Sequence, residues 1–373
     1  MSQQGLSGDP AQADRWRARF LAPFPPRLLL LLAGTETAAV PGISAAGASP
    51  ESRRLTAAAD AELLLLGPAA PRPHALPPLP AGVSPALITR VVVEQLGLDP
   101  LVVDLGVPVP PAVPHLSLGQ GPAACLSGGQ AMAIERVEAL LRLGRRWGAR
   151  LADAAVPLLL AECVPGGTTS AQAVLQGLGV EAAGLVSGSL RQPAHPLKQR
   201  LVEQGLRAAG LADPASRAQA APEQVVAAVG DPMQVLAAAL LQGAALAELP
   251  VLLAGGSQMA AVLALALALT PASDRPRLLR HAAIGTTAWV AAEAGSDLAL
   301  LLQRLAGRWG GTPLAFASAL RFGDCRMPQL RAYEQGYVKE GVGAGGLALL
   351  WEWSGRSPAQ LAAACDQACR GMA

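Results

Sequence analysis

The segment Glu162–Ser170, with the sequence ECVPGGTTS, is the clearest candidate for ligand binding. It follows an apolar run typical of a buried strand and opens a segment that we predict to be helical. Gly166 and Gly167 would let the backbone approach an anion, and the free amides at a helix N-terminus would point towards it. Thr168 and Thr169 add hydroxyl donors. The pattern favours a phosphate site, although a strand-to-helix turn with an ordinary Ser/Thr cap uses the same residue types.

Two further glycine-rich segments could carry chemistry. Gly255, Gly256 and Ser257 lie between a predicted strand and a predicted helix, where they could bind the same anion or simply allow close packing. Glu340 is followed by glycines that leave room for a ligand beside a carboxylate, as a general base requires. The alternative is an exposed glutamate that caps a turn. The glycines beside Glu340 that could contact a ligand are Gly341 and Gly343.

The sequence offers little for metal, redox or nucleic-acid chemistry. The four histidines share no ligand spacing such as HxxxH, and the five cysteines form no CxxC pair. We therefore expect no bound metal, no cofactor and no disulfide framework. The net charge is only +2 and no basic stripe with aromatic residues occurs, so we expect no nucleic-acid partner.

Several short apolar runs, each followed by Gly, Thr, Ser or an acidic residue and then by a helical pattern, indicate the fold. Such strands form parallel sheets covered on both faces. We predict an α/β fold, a doubly wound and mostly parallel Rossmann-like sheet, with ligands beyond the carboxyl ends of the strands. The predicted strands are Leu28–Ala33, Leu101–Val103, Leu158–Leu160, Val251–Leu253, Leu279–Ile284 and Leu314–Ala317. Thr286 and Thr287, which follow the fifth of these strands, are further candidate ligands for the phosphate or the ribose.

Capping patterns predict where some of the helices begin. Ser127 could cap a helix that runs from Gln130 to about Ala149. Asp231 and Ser357 each precede a proline, a pair that is typical of a helix N-cap and its first position.

The composition raises the question of a membrane segment, because 51% of residues are apolar and only 15% are charged. The uncharged stretch 249–272 is long enough to span a bilayer. The sequence GGSQ in its middle predicts a buried strand, a tight turn and a buried helix instead. The first twenty residues lack the apolar region of a signal peptide. We therefore expect no membrane partner and a cytoplasmic protein.

In chain order, several motifs resemble those of the nicotinate-nucleotide:dimethylbenzimidazole phosphoribosyltransferase family. The resemblance covers roughly residues 84–350, and the segment 34–47 is closer to a less characterised branch of that family. The matching segments are Ser84–Arg90 leading to Val103–Val107, Gly121–Ala123 with the Gln130–Glu135 segment, Ala161–Thr169, Lys198, Pro250–Ser257 and Glu340–Ala344.

The resemblance implies transfer of a phosphoribosyl group from nicotinate mononucleotide to a benzimidazole-like base. The products would be an α-riboside 5′-phosphate, for cobalamin lower-ligand synthesis, and nicotinate. Glu340 would be the catalytic base, and Gly166–Thr169, Gly255–Ser257 and Lys198 would hold the 5′-phosphate. Glu162 would hold ribose hydroxyls or cap its loop. A homodimer and a smaller helical subdomain from the chain ends are also implied.

The expected organisation of the chain follows from these segments. Residues 1–20 would be a flexible arm and residues 21–350 the phosphoribosyltransferase-like domain, with a proline-rich excursion at 67–85. Residues 351–373 would supply the C-terminal helix of the small subdomain.

Three departures from the family pattern limit what the resemblance implies about the acceptor base. Gly167–Thr169 replaces Asn-Thr-Thr, Ala254–Gly256 replaces Asp-Gly-Phe, and Gly285–Trp289 replaces the usual GHxSxE motif. The resemblance therefore supports binding and transfer of a phosphoribosyl group more strongly than it supports a particular acceptor base. Two alternatives stay open, namely the same fold acting on another base or phosphosugar, and a nucleotide-binding regulatory protein without catalysis.

Overall fold

The computed structural model describes residues 5–372, and within them the chain forms one eight-stranded sheet. The order across the sheet is β1-β8-β7-β6-β5-β2-β3-β4, and every neighbouring pair is parallel except β1 with β8. The strands are β1 (Gly5–Ser7), β2 (Arg27–Leu32), β3 (Leu101–Asp104), β4 (Leu116–Ser117), β5 (Leu158–Cys163), β6 (Val251–Ala254), β7 (Ala282–Thr286) and β8 (Leu314–Ala317).

Helices cover both faces of this sheet. They are α1 (Pro10–Phe20), α2 (Pro50–Arg53), α3 (Thr56–Leu66), α4 (Ala86–Leu96), α5 (Ile134–Ala152), α6 (Gly167–Gly177), α7 (His195–Ala208), α8 (Pro214–Gln219), α9 (Pro222–Val229), α10 (Pro232–Leu246), α11 (Ser257–Leu269), α12 (Arg275–His281), α13 (Ala288–Ala291), α14 (Leu298–Trp309), α15 (Pro328–Arg331), α16 (Ala344–Trp353) and α17 (Pro358–Arg370).

The continuous apolar runs of the strands follow from this double covering. Successive side chains of a strand point to opposite faces, so a strand buried on both faces must be apolar at every position. In β2, Leu29 and Leu31 pack into the core shared with α5, α6, α10 and α11. Leu28, Leu30 and Leu32 pack into the core shared with α1, α3, α4, α16 and α17. The predicted doubly wound α/β fold is confirmed.

The order of the strands reverses between β2 and β5, which are neighbours in the sheet but are separated in the chain by β3 and β4. At such a reversal the loops beyond the carboxyl ends diverge to opposite faces and leave a crevice, the usual ligand site of open α/β sheets. Here the loop that follows β5 is the predicted phosphate loop. The topology therefore places this loop at the crevice.

Most of the predicted strands are confirmed, but some boundaries were wrong. β7 begins at Ala282, because the preceding apolar residues Leu278 and Leu279 belong to α12. α5 begins at Ile134, and a short 3-10 turn at Leu126–Gly128 stands where a Ser127 cap was expected. Asp231 and Ser357 cap α10 and α17 as predicted. The stretch 249–272 forms β6, a turn and α11, and among the described residues no helix has the length and hydropathy needed to cross a membrane.

Residues 5–20 differ from the flexible arm expected for residues 1–20, and residues 1–4 of that arm lie outside the described part of the chain. Residues 5–7 pair with β8, and the α1 side chains Trp16 and Phe20 are buried. These rings stack with centroids 4.9 Å apart, and each meets Trp353 edge-on. The Trp16 indole N–H also donates to the His281 carbonyl at 3.1 Å. The few aromatic side chains of this end of the chain bury large areas, so they hold α1 against the sheet.

We predict that Trp16→Ala lowers the free energy of unfolding by about 3–5 kcal/mol, because it empties a buried aromatic site and removes a hydrogen bond. Urea denaturation followed by circular dichroism measures this. The matched control is Arg15→Ala, which changes an exposed neighbour on the same helix and should leave stability within about 0.5 kcal/mol of wild type. Equal stability of the two variants would show that α1 is not anchored as described.

Candidate active site

A cleft of about 330 Å³ lies beyond the carboxyl ends of the central strands. Its lining comes from the loops after β5 and β6, the turn before α16, residues 44–46, residues of α3 and the proline-rich segment 76–85. The predicted site residues that line the cleft are Glu162, Gly166, Gly167, Thr168, Gly256, Ser257, Glu340 and Gly341.

The phosphate loop has the backbone that the sequence predicted. Gly166 has a φ of 79° and precedes the first turn of α6. A side chain at this position would meet the backbone of Ala38 at 3.0 Å. The positive φ and this close approach both require glycine here. α11 also begins at the cleft, at Ser257. Two helix N-termini therefore present amides to the same space, which favours an anionic ligand.

Glu340 is held by four hydrogen bonds. Its Oε2 accepts from the Thr286 hydroxyl at 3.1 Å and from the Thr287 amide at 2.9 Å. Its Oε1 accepts from the amides of Gly345 at 3.0 Å and Gly341 at 3.2 Å. Burial raises the pKa of Glu340 to about 7, and these hydrogen bonds oppose that rise. A carboxyl group with a pKa near neutrality is well matched to proton transfer.

The turn that carries Glu340 has a strained backbone. Val338, Lys339 and Val342 have positive φ values of 64°, 68° and 52°. Such values are costly for non-glycine residues and persist only where the surroundings impose them. Here the buried Lys339 Nζ is 3.0 Å from the Glu293 carboxylate and donates to the carbonyls of Leu190 and Gly336. The buried ion pair thus holds the turn in the shape that aims Glu340 at the cleft.

Gly345 explains why the turn ends in glycines. A Cβ at this position would collide with the carbonyl carbon of Thr286. The first turn of α16 can therefore pack directly on the end of β7 only because this side chain is absent. That close approach brings the Gly345 amide and the Thr286 hydroxyl to the same carboxylate.

Glu162 is a second buried carboxyl group in the cleft, with 3% of its surface exposed. Its Oε2 accepts from the Val164 amide at 3.1 Å and its Oε1 from the Gln258 side-chain amide at 3.0 Å. Burial, followed by the negative charges of Glu340 and Asp231, raises the pKa of Glu162 to about 8. Two carboxyl groups in one water-poor site resist simultaneous ionisation. At neutral pH we therefore expect this pair to retain a proton.

Lys198 does not line the cleft, contrary to the expectation that it reaches the phosphate. It is fully buried, and its Nζ donates to the Ser187 carbonyl at 2.6 Å. Burial lowers the pKa of Lys198 to about 7, although Glu293 opposes the shift. A buried amine needs hydrogen-bond partners, and this one finds its partner in the loop at 187–189. Within residues 5–372, no Lys, Arg or His lines the cleft.

The loop that Lys198 supports was missed by the sequence analysis. Ser187, Gly188 and Ser189 line the cleft, and the Ser187 amide donates to the Ser257 hydroxyl at 3.0 Å. The Ser189 hydroxyl accepts from the Ala45 amide at 2.9 Å, which connects this loop to residues 44–46 of the cleft lining. The short Ser-Gly-Ser sequence follows no predicted strand, so the sequence contains no signal for this role beyond the residue types themselves.

The remaining predicted residues lie behind the cleft. Thr286 and Thr287 orient Glu340, and Gly255 joins β6 to β7 through its amide and the Gly285 carbonyl at 2.9 Å. Gly343 precedes α16 with a φ of 75° and packs against Ala161. Thr169 is fully buried in α6, and its hydroxyl has no hydrogen-bond partner among the described residues. These residues shape the site from behind instead of contacting the cleft.

The proline-rich segment also has a role that its composition did not predict. It forms no helix or strand between 67 and 85, as expected, but residues 76–79 and 81–85 line the cleft. Glu62 of α3 accepts from the backbone and ring nitrogens of His74, at 2.9 and 2.6 Å, and from the Ala112 amide at 2.9 Å. The Tyr333 hydroxyl donates to the Val83 carbonyl at 2.8 Å. The segment is therefore a fixed wall of the site.

Comparison with known proteins identifies the family of this chain. A family model described as a phosphoribosyltransferase matches residues 86–284. A UPF0284 protein of Prochlorococcus marinus (strain MIT 9313) is 53% identical over 350 residues, which cover 91% of this chain and 85% of that protein. Another UPF0284 protein, from Parasynechococcus marenigrum (strain WH8102), is 54% identical over 349 residues, which cover 91% of this chain and 86% of that protein.

Solved structures show the same fold at low sequence identity. CobT from Thermus thermophilus has a TM-score of 0.58 at 20% identity, with 97% of this chain and 92% of that chain covered. A nicotinate-nucleotide-dimethylbenzimidazole phosphoribosyltransferase from the same organism has a TM-score of 0.55 at 18% identity, with 98% of this chain and 99% of that chain covered.

The family match shows that this protein is a phosphoribosyltransferase, which is a pentosyl-transferring glycosyltransferase. The chain belongs to the phosphoribosyltransferase family matched by that model and, within it, groups with the UPF0284 proteins. Both Glu340 and the wall at 76–85 lie outside the matched residues 86–284.

We predict that the Glu162 carboxyl group makes stability depend on pH. Its folded pKa of about 8 lies above the unfolded value of 4.5, so its contribution is complete below about pH 4.5 and is lost as the pH rises through about 8. Glu162→Gln cannot ionise and should show a shallower fall in unfolding free energy between about pH 5 and 8. Urea denaturation across this range measures the slope.

The control for this experiment is Glu181→Gln, which alters an exposed carboxylate and should keep the wild-type slope. A wild-type slope in Glu162→Gln as well would mean that folding does not raise the pKa of Glu162 above its unfolded value of 4.5.

Proposed function

We propose that this protein transfers the phosphoribosyl group of nicotinate mononucleotide to a benzimidazole-like aromatic base, in cobalamin lower-ligand synthesis. The observation that carries the proposal is Glu340, a half-buried residue whose carboxyl group has a pKa of about 7 and is oriented by four hydrogen bonds at a cleft lined by the starts of α6 and α11. The phosphoribosyltransferase match and the fold shared with CobT support it.

In this reaction a ring nitrogen of the acceptor base attacks C1′ of the ribose from the face opposite nicotinate. The new N–C1′ bond forms as the bond between C1′ and the nicotinate nitrogen breaks, and that electron pair leaves with nicotinate. Glu340 takes the proton from the attacking ring nitrogen. Inversion at C1′ gives the α-riboside 5′-phosphate. Positioning the two reactants together and removing this proton are the contributions that the site can make.

The 5′-phosphate would bind to backbone amides instead of to a cation. Gly166, Gly167 and Thr168 supply the start of α6, and Gly256 and Ser257 supply the start of α11. A dianion beside two carboxylates would be repelled, but the raised pKa values of Glu162 and Glu340 reduce the negative charge at neutral pH. Glu162, beside this loop, would hold the ribose hydroxyls or cap the loop through the Val164 amide.

We also propose that the enzyme is a homodimer and works in the cytoplasm. The homodimer rests on the family resemblance, and the cytoplasmic location rests on the residue patterns described under sequence analysis. Size-exclusion chromatography with light scattering tests the dimer, and a monomeric mass would contradict it.

We predict that wild-type protein incubated with nicotinate mononucleotide and benzimidazole releases nicotinate, and that Glu340→Gln lowers kcat by about 10²- to 10⁴-fold. Glutamine keeps the size of the side chain but cannot accept the proton. Chromatographic quantification of nicotinate gives the rate, and calorimetry should show that the variant still binds the nucleotide.

Glu181→Gln serves as the exposed control and should retain full activity. Unchanged turnover in Glu340→Gln would remove the assignment of the base. Nucleotide binding by the wild type without nicotinate release, for every base in a panel of benzimidazoles and purines, would favour a regulatory protein over an enzyme.

We predict that kcat/KM falls as the pH drops below about 7, because Glu340 must be ionised to act as the base. Thr286→Val is nearly isosteric and removes the hydroxyl that donates to Oε2, so it should move this acidic limb to higher pH. A pH–rate profile of both proteins measures the limb. Coincident profiles would show that Thr286 does not tune the base.

A further inference from the structure

The turn that carries Glu340 ends at Val342, whose two backbone polar groups are held by different parts of the fold. The Val342 amide donates to the Glu162 carbonyl at 2.9 Å, and the Val342 carbonyl accepts from the Thr89 hydroxyl at 2.7 Å. Val342 is fully buried and has a φ of 52°. A β-branched residue takes this conformation only where its surroundings impose it. These two hydrogen bonds act directly on its backbone.

The first of these bonds attaches the turn to the end of β5. The last pair between β5 and β6 joins Ala161 to Ala254. Beyond that pair, the Glu162 carbonyl accepts from the Val342 amide. The turn is therefore bonded to the same strand that leads into the predicted phosphate loop.

Thr89, which supplies the second bond, belongs to α4 and is fully buried. A threonine inside a helix commonly donates to a carbonyl three or four residues earlier in the same helix. Here the hydroxyl donates to a residue 253 positions away in the chain. α4 also begins against the turn, because a Cβ on Gly341 would lie 2.9 Å from the Cγ of Pro85. The start of α4 and its Thr89 side chain therefore both contact the turn.

Val342 lies between two of the amides that hold the Glu340 carboxylate. Gly341 precedes it and Gly345 follows it in the first turn of α16, and both amides donate to Oε1. The donors to Oε2 come from the end of β7 instead. A rotation of the Val342 backbone would thus move the donors to Oε1 and leave those to Oε2 in place.

We propose that Thr89 is a positioning residue for phosphoribosyl transfer, which holds the Val342 carbonyl and thereby fixes the orientation of the Glu340 carboxylate. This inference rests on the proposed function, in which Glu340 takes the proton from the acceptor base. Thr89 does not line the cleft, so it acts through the backbone of the turn and not on a substrate. The hydrogen bonds to Oε1 oppose the rise in the pKa of Glu340, so losing their geometry should raise that pKa further.

The test compares Thr89→Val, which keeps the shape of the side chain and removes its hydroxyl, with Thr89→Ser, which keeps the hydroxyl. With nicotinate mononucleotide and benzimidazole as substrates, we expect Thr89→Val to lower kcat by about 10- to 100-fold and to leave the KM for nicotinate mononucleotide unchanged. The acidic limb of its pH–rate profile should move to higher pH. Thr89→Ser should keep both the rate and the limb close to those of the wild type.

The matched control is Thr270→Val. Thr270 is buried at the opposite end of α11 from the cleft, and its hydroxyl donates to the Ala266 carbonyl at 2.7 Å. The control removes a buried hydroxyl of the same kind, so it should lower stability without changing kcat or the limb. The charges of Glu162 and Tyr333 interact with that of Glu340, and both residues are the same in every variant.

Hydrogen exchange of the wild-type protein tests the hold on the turn without any variant, so the test does not depend on the folding of Thr89→Val. The Val342 amide should exchange slowly, and rapid exchange would overturn the inference. Wild-type kcat and an unmoved limb in a folded Thr89→Val would also overturn it, as would equal losses of kcat in Thr89→Val and Thr270→Val.

The same assay separates this inference from the proposed function. Release of nicotinate by the wild-type protein, combined with any of these contrary results, contradicts only the role of Thr89. No release by the wild-type protein with any base of the panel contradicts the proposed function, and the inference fails with it.

Discussion

The site depends on keeping the Glu340 carboxylate buried and oriented at the same time. Burial alone would leave it protonated and useless as a base at neutral pH, and exposure would leave it free to rotate. The four donors that solve this problem come from the end of β7, from the turn after Glu340 and from the first turn of α16. These segments meet because Gly345 has no side chain to keep α16 away from β7.

A second layer of buried charge supports this arrangement. Lys339 pairs with Glu293 and holds the strained turn before Glu340, while Lys198 holds the neighbouring loop through the Ser187 carbonyl. Neither lysine lines the cleft, so the proposed phosphate site would use helix N-termini and glycine amides. This division keeps the cleft free of long flexible side chains. It also leaves the carboxyl groups there with pKa values set mainly by burial.

The lining of the cleft comes from two parts of the chain. The loops after β5 and β6 lie within the region matched by the family model. The lining residues of α3 and of the proline-rich segment precede that region, and the turn of Glu340 follows it.

The sheet and the loops that follow β5 and β6 at the cleft could be predicted from the sequence alone. Continuous apolar runs such as Leu28–Leu32 predict strands buried on both faces, and glycines after such runs predict loops where backbone approaches a ligand. These are local signals, carried by neighbouring residues. The folded chain was needed to show that Trp16 anchors α1, that Lys198 points into a loop and that Asp60 reaches the cleft. Those facts depend on contacts between residues far apart in the chain, and no spacing within one segment encodes them.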